Sequence, residues 1–447
     1  MDWITQKLSP FKDRTAGHVA QRAWSYRDFL ACIEQLTCSI ESAGLAPQTV
    51  VGLQVEHSIE GLAALIASAR TQVIAVPIPN ELAEHERTLN KKIARVEWSL
   101  TSKGGIFKLS KEGTPPSDRP TLFNQLAERQ HAGLILFSSG TSGAPKAMLH
   151  DLNALLNRYQ SIRPRRDRSL LLLLIDHIGG LDSAFRTLFS GSTLVIPDQR
   201  TPESASAAIA AHQVNILPAS PTFLNLMLLA HAHEAHDCSS IEIIAYGAEA
   251  MPQPLLDRIA DAFPNAQLQQ KFGTSETGAI RVKSTQRKSL FFQIADADTE
   301  WKIVDDELWL KTPSRILGYL NADDTSLEDE GWYRTGDIVE EGPNHSIRII
   351  GRESDWINVG GQKVHPAEIE AVLVELPNVT ACRVFSKQDA ITGNAIACEI
   401  VSSTTFDLRS WKRTIRNHCR GRLAPWKIPS TLTITTDLSV TPRLKRN

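Results

Sequence analysis

From Leu134 onward, short apolar runs alternate with longer stretches of helical spacing. The runs are Leu134–Phe137, Leu170–Ile175, Thr193–Ile196, Asn215–Pro218 and Glu242–Tyr246, and the helical stretches include Pro221–Ala232 and Gln253–Phe263. Strands covered on both faces read as continuous apolar runs, whereas half-exposed strands alternate. The pattern therefore predicts an α/β fold with largely buried strands, in a large N-terminal α/β domain of layered sheets and helices. The richest run, Leu170–Ile175, is far shorter than the ~20 residues of a membrane helix and reads as a buried strand. At Gly351–Asp355 the pattern changes. Beyond it the strands are short, and a helix is predicted to start near Pro366, whose missing amide proton suits a first helical turn. A small α+β domain of about a hundred residues fits the remainder, so the predicted domains are 1–351 and 352–447.

Composition agrees with this division. A chain of 447 residues is long enough for two or three cooperating domains. With 42% hydrophobic and 22% charged residues it sits near the globular average, and it has no polar or repetitive tract. The first fifteen residues hold acids and bases but no apolar core of the signal-peptide kind, so a cytoplasmic protein is expected. Six cysteines, Cys32, Cys38, Cys238, Cys382, Cys398 and Cys419, lack paired spacing and indicate neither a zinc site nor a disulfide framework. The net charge of −2 is unevenly spread: from Glu353 onward thirteen Lys/Arg face nine Asp/Glu, which makes this part +4 and the rest −6. A basic excess of this size can steer phosphate-bearing ligands or an acidic partner, and otherwise only solubilises. Neither a nucleic acid nor a membrane is expected as a partner.

The first chemical signal follows Leu134–Phe137, which runs into SSGTSGAPK, Ser138–Lys146. Glycines and hydroxyls in a loop can turn backbone amides, side-chain hydroxyls and one ammonium towards a polyphosphate. This is not a Walker loop, because Pro145 precedes the lysine and Ala147 follows it. A flexible Gly/Ser turn is the alternative for the loop alone. SSGTSGAPK resembles, however, the phosphate-loop signature of the superfamily of acyl-CoA synthetases, peptide-synthetase adenylation domains and luciferases. Further segments resemble the other signatures of that superfamily in the same order. They are WSYRDF (Trp24–Phe29), VIAVPIP (Val73–Pro79), YGAEAMP (Tyr246–Pro252), FGTSETG (Phe272–Gly278), GWYRTGD (Gly331–Asp337), GRESDWINVGGQKVHPAEIE (Gly351–Glu370) and LAPWKIP (Leu423–Pro429).

The resemblance implies ATP and Mg2+ as cofactors and a small mobile C-terminal domain that turns about a hinge near Ser354. It assigns nucleotide binding to Ser138, Ser139, Gly140, Thr141, Ser142, Gly143 and Lys146, with Thr141 also counted as catalytic. Gly247, Ala248 and Glu249 match the backbone that lies along adenine, where a small residue permits close approach and side chains are incidental. Phe272 and Gly273 belong to the same site, and Thr274 and Ser275 take the places that contact the α-phosphate. Glu276 matches the magnesium ligand, as suits a hard cation that prefers carboxylate oxygen. Asp337 matches the aspartate that receives both ribose hydroxyls, and Arg352 an arginine contacting ribose and phosphate. The bland readings are a turn aspartate and an interdomain salt bridge. Lys445, four residues after Thr441, stands where the family carries its catalytic lysine, although Leu444 replaces the usual glycine and a frayed basic tail is the alternative.

The acid would lie in a pocket bordered by His177, Tyr246, Gly247, Gly273 and Gly278, with His177 counted as catalytic; from the residues alone, His177 is equally a satisfied core histidine. Amino-acid-activating members carry an aspartate nearby, and Asp176 is displaced from that position by one or two places, so an acyl or aryl acid is favoured while an amino acid stays open. His231–Asp237 lacks H-E-x-x-H spacing and reads as a solvated helix end; Arg163–Arg168 reads as a solvated connection or a receiver of coenzyme A phosphate. The expected reaction is attack of a small-molecule carboxylic acid on the α-phosphate of ATP with release of pyrophosphate. Transfer follows, to the thiol of coenzyme A or of phosphopantetheine on an acyl or peptidyl carrier protein, through a channel at Val359–Gly361. The basic small domain favours the carrier protein. A non-catalytic nucleotide-binding relative is the remaining alternative.

Overall fold

The computed structural model describes residues 1–20, 22–54, 57–103, 106–112, 119–138, 145–323, 325–377, 379–389, 393–402 and 407–435. Among the described residues, two seven-stranded sheets carry the large domain. One is mostly parallel and runs in the order Gln267–Gln270, Ile243–Tyr246, Ile216–Ala219, Arg168–Leu170, Thr193–Ile196, Thr15–Val19, Arg22–Ser25. The other has the order Gly318–Tyr319, Lys146–Asp151, Gly133–Ser138, Ile74–Pro77, Val50–Gln54, Trp98–Lys103, Ile106–Lys111.

Between the sheets lie the helices Tyr26–Ser42, Ile59–Thr71 and Ile178–Phe189, which form the largest core with Leu53, Leu134, Leu136 and Leu194. Ile59–Thr71 is buried from Gly61 through Ala69, as a helix that is apolar all round must be; its alanines let the sheets approach on either side. Tyr26–Ser42 starts where Ser25 and Asp28 cap each other reciprocally, so the WSYRDF segment is a helix start. The outer faces are covered by Pro202–His212, Pro221–Leu229 and Gln253–Ala262 on one sheet, and by residues around Ala94, Phe123 and Leu126 on the other. The result is the layered α/β architecture expected from the sequence.

Two local expectations are corrected, and one sheet lies outside the expected pattern. The run Leu170–Ile175 is buried apart from the half-buried Leu173, but only Leu170 belongs to a strand. After Leu171 donates to the Val195 carbonyl at 2.8 Å, the chain turns through Leu174 and Asp176 into the helix Ile178–Phe189. The helix predicted over Pro221–Ala232 stops at Leu229, because His231 adopts a left-handed φ of 50° before a separate short helix, Ala232–Ala235. A six-stranded antiparallel sheet, Val282–Ser284, Phe292–Ile294, Ser346–Arg352, Tyr333–Gly342, Glu307–Lys311 and Glu300–Val304, completes the large domain and was not foreseen.

The strand Ser346–Arg352 hands the chain to a short turn, Glu353–Asp355, and then to a small α+β unit. There Pro366–Leu373 begins with its proline as expected, and with Leu408–Cys419 it packs Ile369, Leu373, Trp411 and Ile415 against the sheet Val379–Asp389, Gly393–Ser402, Thr431–Thr435. Five of the six cysteines are buried and none is disulfide-bonded. Among the described residues no helix is long and apolar enough to cross a membrane.

Candidate active site

Ligands of open α/β sheets collect at the carboxyl ends of the strands. Here Gly133–Ser138 and Ile243–Tyr246 end at a cavity of about 560 Å³, whose wall includes Ser138, His177, Gly247, Ala248, the run Phe272 to Glu276, and Arg352. Segments far apart in the chain thus meet on one cleft.

The base of the SSGTSGAPK loop is pinned on both sides. Ser138 and Lys146 are cross-strand partners, and Asn321 clamps the exit of the loop by donating to the Pro145 carbonyl at 2.9 Å and accepting from the Ala147 amide at 2.9 Å. Ser139, Gly140, Thr141, Ser142 and Gly143 lie outside the described residues, as do Thr441, Leu444 and Lys445. The Lys146 ammonium sits 5.5 Å from the centre of the Tyr319 ring, and the Tyr319 hydroxyl donates to Glu276 Oε1 at 3.0 Å. Tyr319 therefore links the loop lysine to the carboxylate. Burial and the Glu276 charge keep its phenol protonated far above the ordinary range.

FGTSETG forms a hairpin in which Phe272 pairs with Ile280 and Thr274 with Gly278. Thr277 Oγ1 accepts from the Thr274 amide at 3.2 Å, and the Thr277 amide donates to Thr274 Oγ1 at 3.1 Å, which closes the turn; the Glu276 carbonyl accepts from Ile316 at 2.8 Å. Gly273 has a φ of 147°, and a Cβ there would stand 2.2 Å from the Gly278 carbonyl oxygen, so only glycine fits. Gly278 faces Ser314 and does not line the cavity. Neither does Tyr246, which is buried in the second core. Gly247 does line it, but the close approach that requires glycine is to the Lys271 carbonyl oxygen, 2.6 Å from a built Cβ. The Glu249 carboxylate is turned away to accept from the Thr222 amide at 3.2 Å and hydroxyl at 2.7 Å.

Asp337 and Arg352 are register partners on neighbouring antiparallel strands, with Nε 3.1 Å from Oδ1. Asp337 is 5% exposed. Burial pushes its carboxyl up to about 6, Arg352 opposing and Glu276 reinforcing the shift. Arg352, conversely, is held above the usual guanidinium range by Asp337.

His177 precedes the helix Ile178–Phe189 and borders the cavity, whereas Asp176 lines a separate small cavity beside His57 and Glu81. Several wall residues were missed from sequence, among them Lys271, Asp182, Arg186 and Arg281. Lys271 directly precedes the hairpin, and Asp182 stands on the helix Ile178–Phe189; neither belongs to a recognisable motif. Among the described residues no cluster of three or more His, Cys, Asp or Glu could hold a metal by protein ligands alone, and His233 of the histidine-rich segment packs against Phe263.

Comparison with known proteins accords with this geometry. The model of the AMP-binding enzyme family matches residues 4–320, and that of the AMP-binding enzyme C-terminal domain matches residues 368–445. Among curated proteins, an indoleacetate–CoA ligase of Aromatoleum aromaticum is 26% identical over 98% of this chain and 94% of its own length. A 2-succinylbenzoate–CoA ligase of Bacillus velezensis is 28% identical over 96% and 93%. Among solved structures, an anthranilate CoA ligase in complex with anthranoyl-AMP superposes with a TM-score of 0.81 at 20% identity, covering 100% of this chain and 94% of that one, which shows a shared fold. With family models spanning most of both its large and its small domain, the chain belongs to the AMP-binding enzymes.

Proposed function

We propose that the chain is an acid–thiol ligase that activates an acyl or aryl carboxylic acid as its adenylate and then passes the acyl group to a thiol. The observation that carries this reading is the convergence of Ser138, Gly247, Phe272 to Glu276 and Arg352 on one cavity. In the first step the substrate carboxylate oxygen bonds to the α-phosphorus of ATP and the bond to the β-phosphate oxygen breaks, releasing pyrophosphate. Lys146 and Arg352 bring positive charge to the phosphates, Asp337 accepts the ribose hydroxyls, and Lys445, presented by the small domain, bridges carboxylate and α-phosphate. Glu276 fits Mg2+, which keeps most of its ligands as water and phosphate oxygen and needs only one or two carboxylates to neutralise charge on the polyphosphate. In the second step the thiol sulfur attacks the acyl carbon, the bond to the phosphate oxygen breaks, and AMP leaves.

Rotation of residues 352–447 about Glu353–Asp355 would exchange the lysine for the thiol channel at Val359–Gly361, where Gly360 and Gly361 take φ values of 57° and 88° at a hairpin tip. The relatives' names favour coenzyme A as acceptor. A carrier-protein phosphopantetheine arm presents the same thiol and is the second acceptor to assay. Asp176 does not line the cavity and Asp182 is already engaged by Arg186 and Tyr159, so neither aspartate is open to an amino-acid ammonium, which favours an acyl or aryl acid. ATP–pyrophosphate exchange over a panel of acids tests the reading. Acid-dependent exchange is expected, and its absence with a folded protein across acyl, aryl and amino acids would sink it.

A further inference from the structure

The cavity does not end at the hairpin. A second one of about 850 Å³ shares with it a wall that includes Asp182, Arg186, Gln269, Lys271 and Arg281. Gly247 lines only the first cavity, Ala245 lines both, and Ile243 lines only the second, so the cleft runs along the strand Ile243–Tyr246 towards its amino end. From the shared Ala245 to Ile243 two residues at ~3.3 Å each carry that extension roughly 7 Å beyond the first cavity. Its lining mixes apolar side chains with the hydroxyls of Ser183, Thr187, Ser190 and Ser192, which are already hydrogen-bonded within the fold, so the charged side chains on its wall distinguish it.

The charges on this wall do not cancel. Asp182 is engaged by Arg186 at 3.2 and 3.4 Å and by the Tyr159 hydroxyl at 2.9 Å; Asp296 is engaged by Arg158 at 3.0 Å and by the Arg281 amide at 3.1 Å. Nearer the rim Arg165 pairs with Asp167 at 2.5 Å, and Arg163 and Asp298 offset each other in number. What is left over is Lys271 and Arg281. Among the described residues the Lys271 ammonium has neither a hydrogen-bond acceptor nor an ion-pair partner, and its side chain is exposed where it lines both cavities. Desolvation by the surrounding cavity wall holds its pKa below the usual lysine range, and Asp182 offsets this only in part.

We propose that the acid activated here carries a second carboxylate, several bonds from the reacting one, which Lys271 receives with Arg186 and Arg281 beside it. This rests on the reading that the first cavity holds the adenylate, and it makes the substrate a dicarboxylic acid and not a fatty acid. A charge-assisted hydrogen bond to this ammonium corresponds to a preference on the order of 10- to 100-fold. The test compares ATP–pyrophosphate exchange for aliphatic and benzene-ring dicarboxylic acids of graded length, each against its own monomethyl ester, in the wild-type protein and in folded Lys271→Gln and Lys271→Arg variants. The expected result is that kcat/KM for the best diacid exceeds that of its monoester by this factor, that Lys271→Gln collapses the ratio towards one, and that Lys271→Arg restores most of it. Monoesters or fatty acids used as well as diacids by the wild-type protein would overturn the proposal while leaving adenylation standing. So would a ratio unmoved by Lys271→Gln. Exchange with no acid at all would overturn the adenylation reading, and this inference with it.

Discussion

Asp337 offers a way to separate a nucleotide-binding carboxylate from a structural one. It is 5% exposed, its carboxyl is pushed from 3.8 up to about 6 by burial, and Arg352 3.1 Å away recovers only part of that cost. A rise of about two units corresponds to roughly 3 kcal/mol spent at neutral pH on keeping the group ionised. The sign follows from linkage: the folded carboxyl holds its proton to higher pH than the unfolded one, so the penalty is fully present above about 6 and disappears as pH falls towards 4. Because the rise to about 6 already includes the Arg352 ion pair, Asp337→Asn should raise the unfolding free energy at neutral pH, by up to about 3 kcal/mol. Nucleotide binding should behave in the opposite way. If the ionised carboxylate receives the ribose hydroxyls, losing the charge forfeits about 1.5–3 kcal/mol, or roughly 10- to 150-fold in affinity. Wild-type affinity for AMP should weaken below about pH 6, approaching tenfold per unit, while the Asn variant is weak and flat across the range. Titration calorimetry with AMP between pH 5 and 8, alongside thermal melts, measures both. Wild-type affinity that is flat with pH, or an Asn variant that binds AMP normally, would refute the reasoning, and an unfolded variant would recast Asp337 as structural.

Three further outcomes are expected. Glu276→Ala should abolish adenylation, by at least about 100-fold in pyrophosphate exchange, with the fold retained because the hairpin is closed by Thr274 and Thr277; wild-type exchange in the folded variant would rule out the metal role. Lys445→Ala should lose adenylate formation but still convert a chemically prepared acyl adenylate to thioester, and equal loss of both half-reactions would point to misfolding or to a tail that only docks the domain. Glu249→Ala should lower stability by about 1–2 kcal/mol through loss of its bonds to Thr222 while the KM for ATP moves by less than about threefold; a large KM change at unchanged melting temperature would assign the carboxylate to the nucleotide after all.

The sequence by itself determined the layered α/β class, the helix start at Pro366, and the order of the chemical segments, because each rests on local periodicity, a proline at a first helical turn or a short contiguous motif. It also carried Glu276, Asp337 and Arg352 as candidates. Only the tertiary structure decided which of these share a wall. Asp337 meets Arg352 through a strand register that no local pattern encodes, and Tyr319 reaches Glu276 across 43 residues of chain as an aromatic without a motif of its own. Gly247 is required by the backbone at Lys271, not by a ligand, which is a property of packing between two strands. Leu170–Ile175 was legible as buried but not as a turn into a helix, since apolar runs report burial and leave conformation to the neighbours they pack against. The surplus charge behind the hairpin was invisible for the same reason. Asp182, Arg186, Lys271, Arg281 and Asp296 are spread over 115 positions, and which carboxylate neutralises which cation is a matter of distance in the fold, leaving Lys271 open to the cavity.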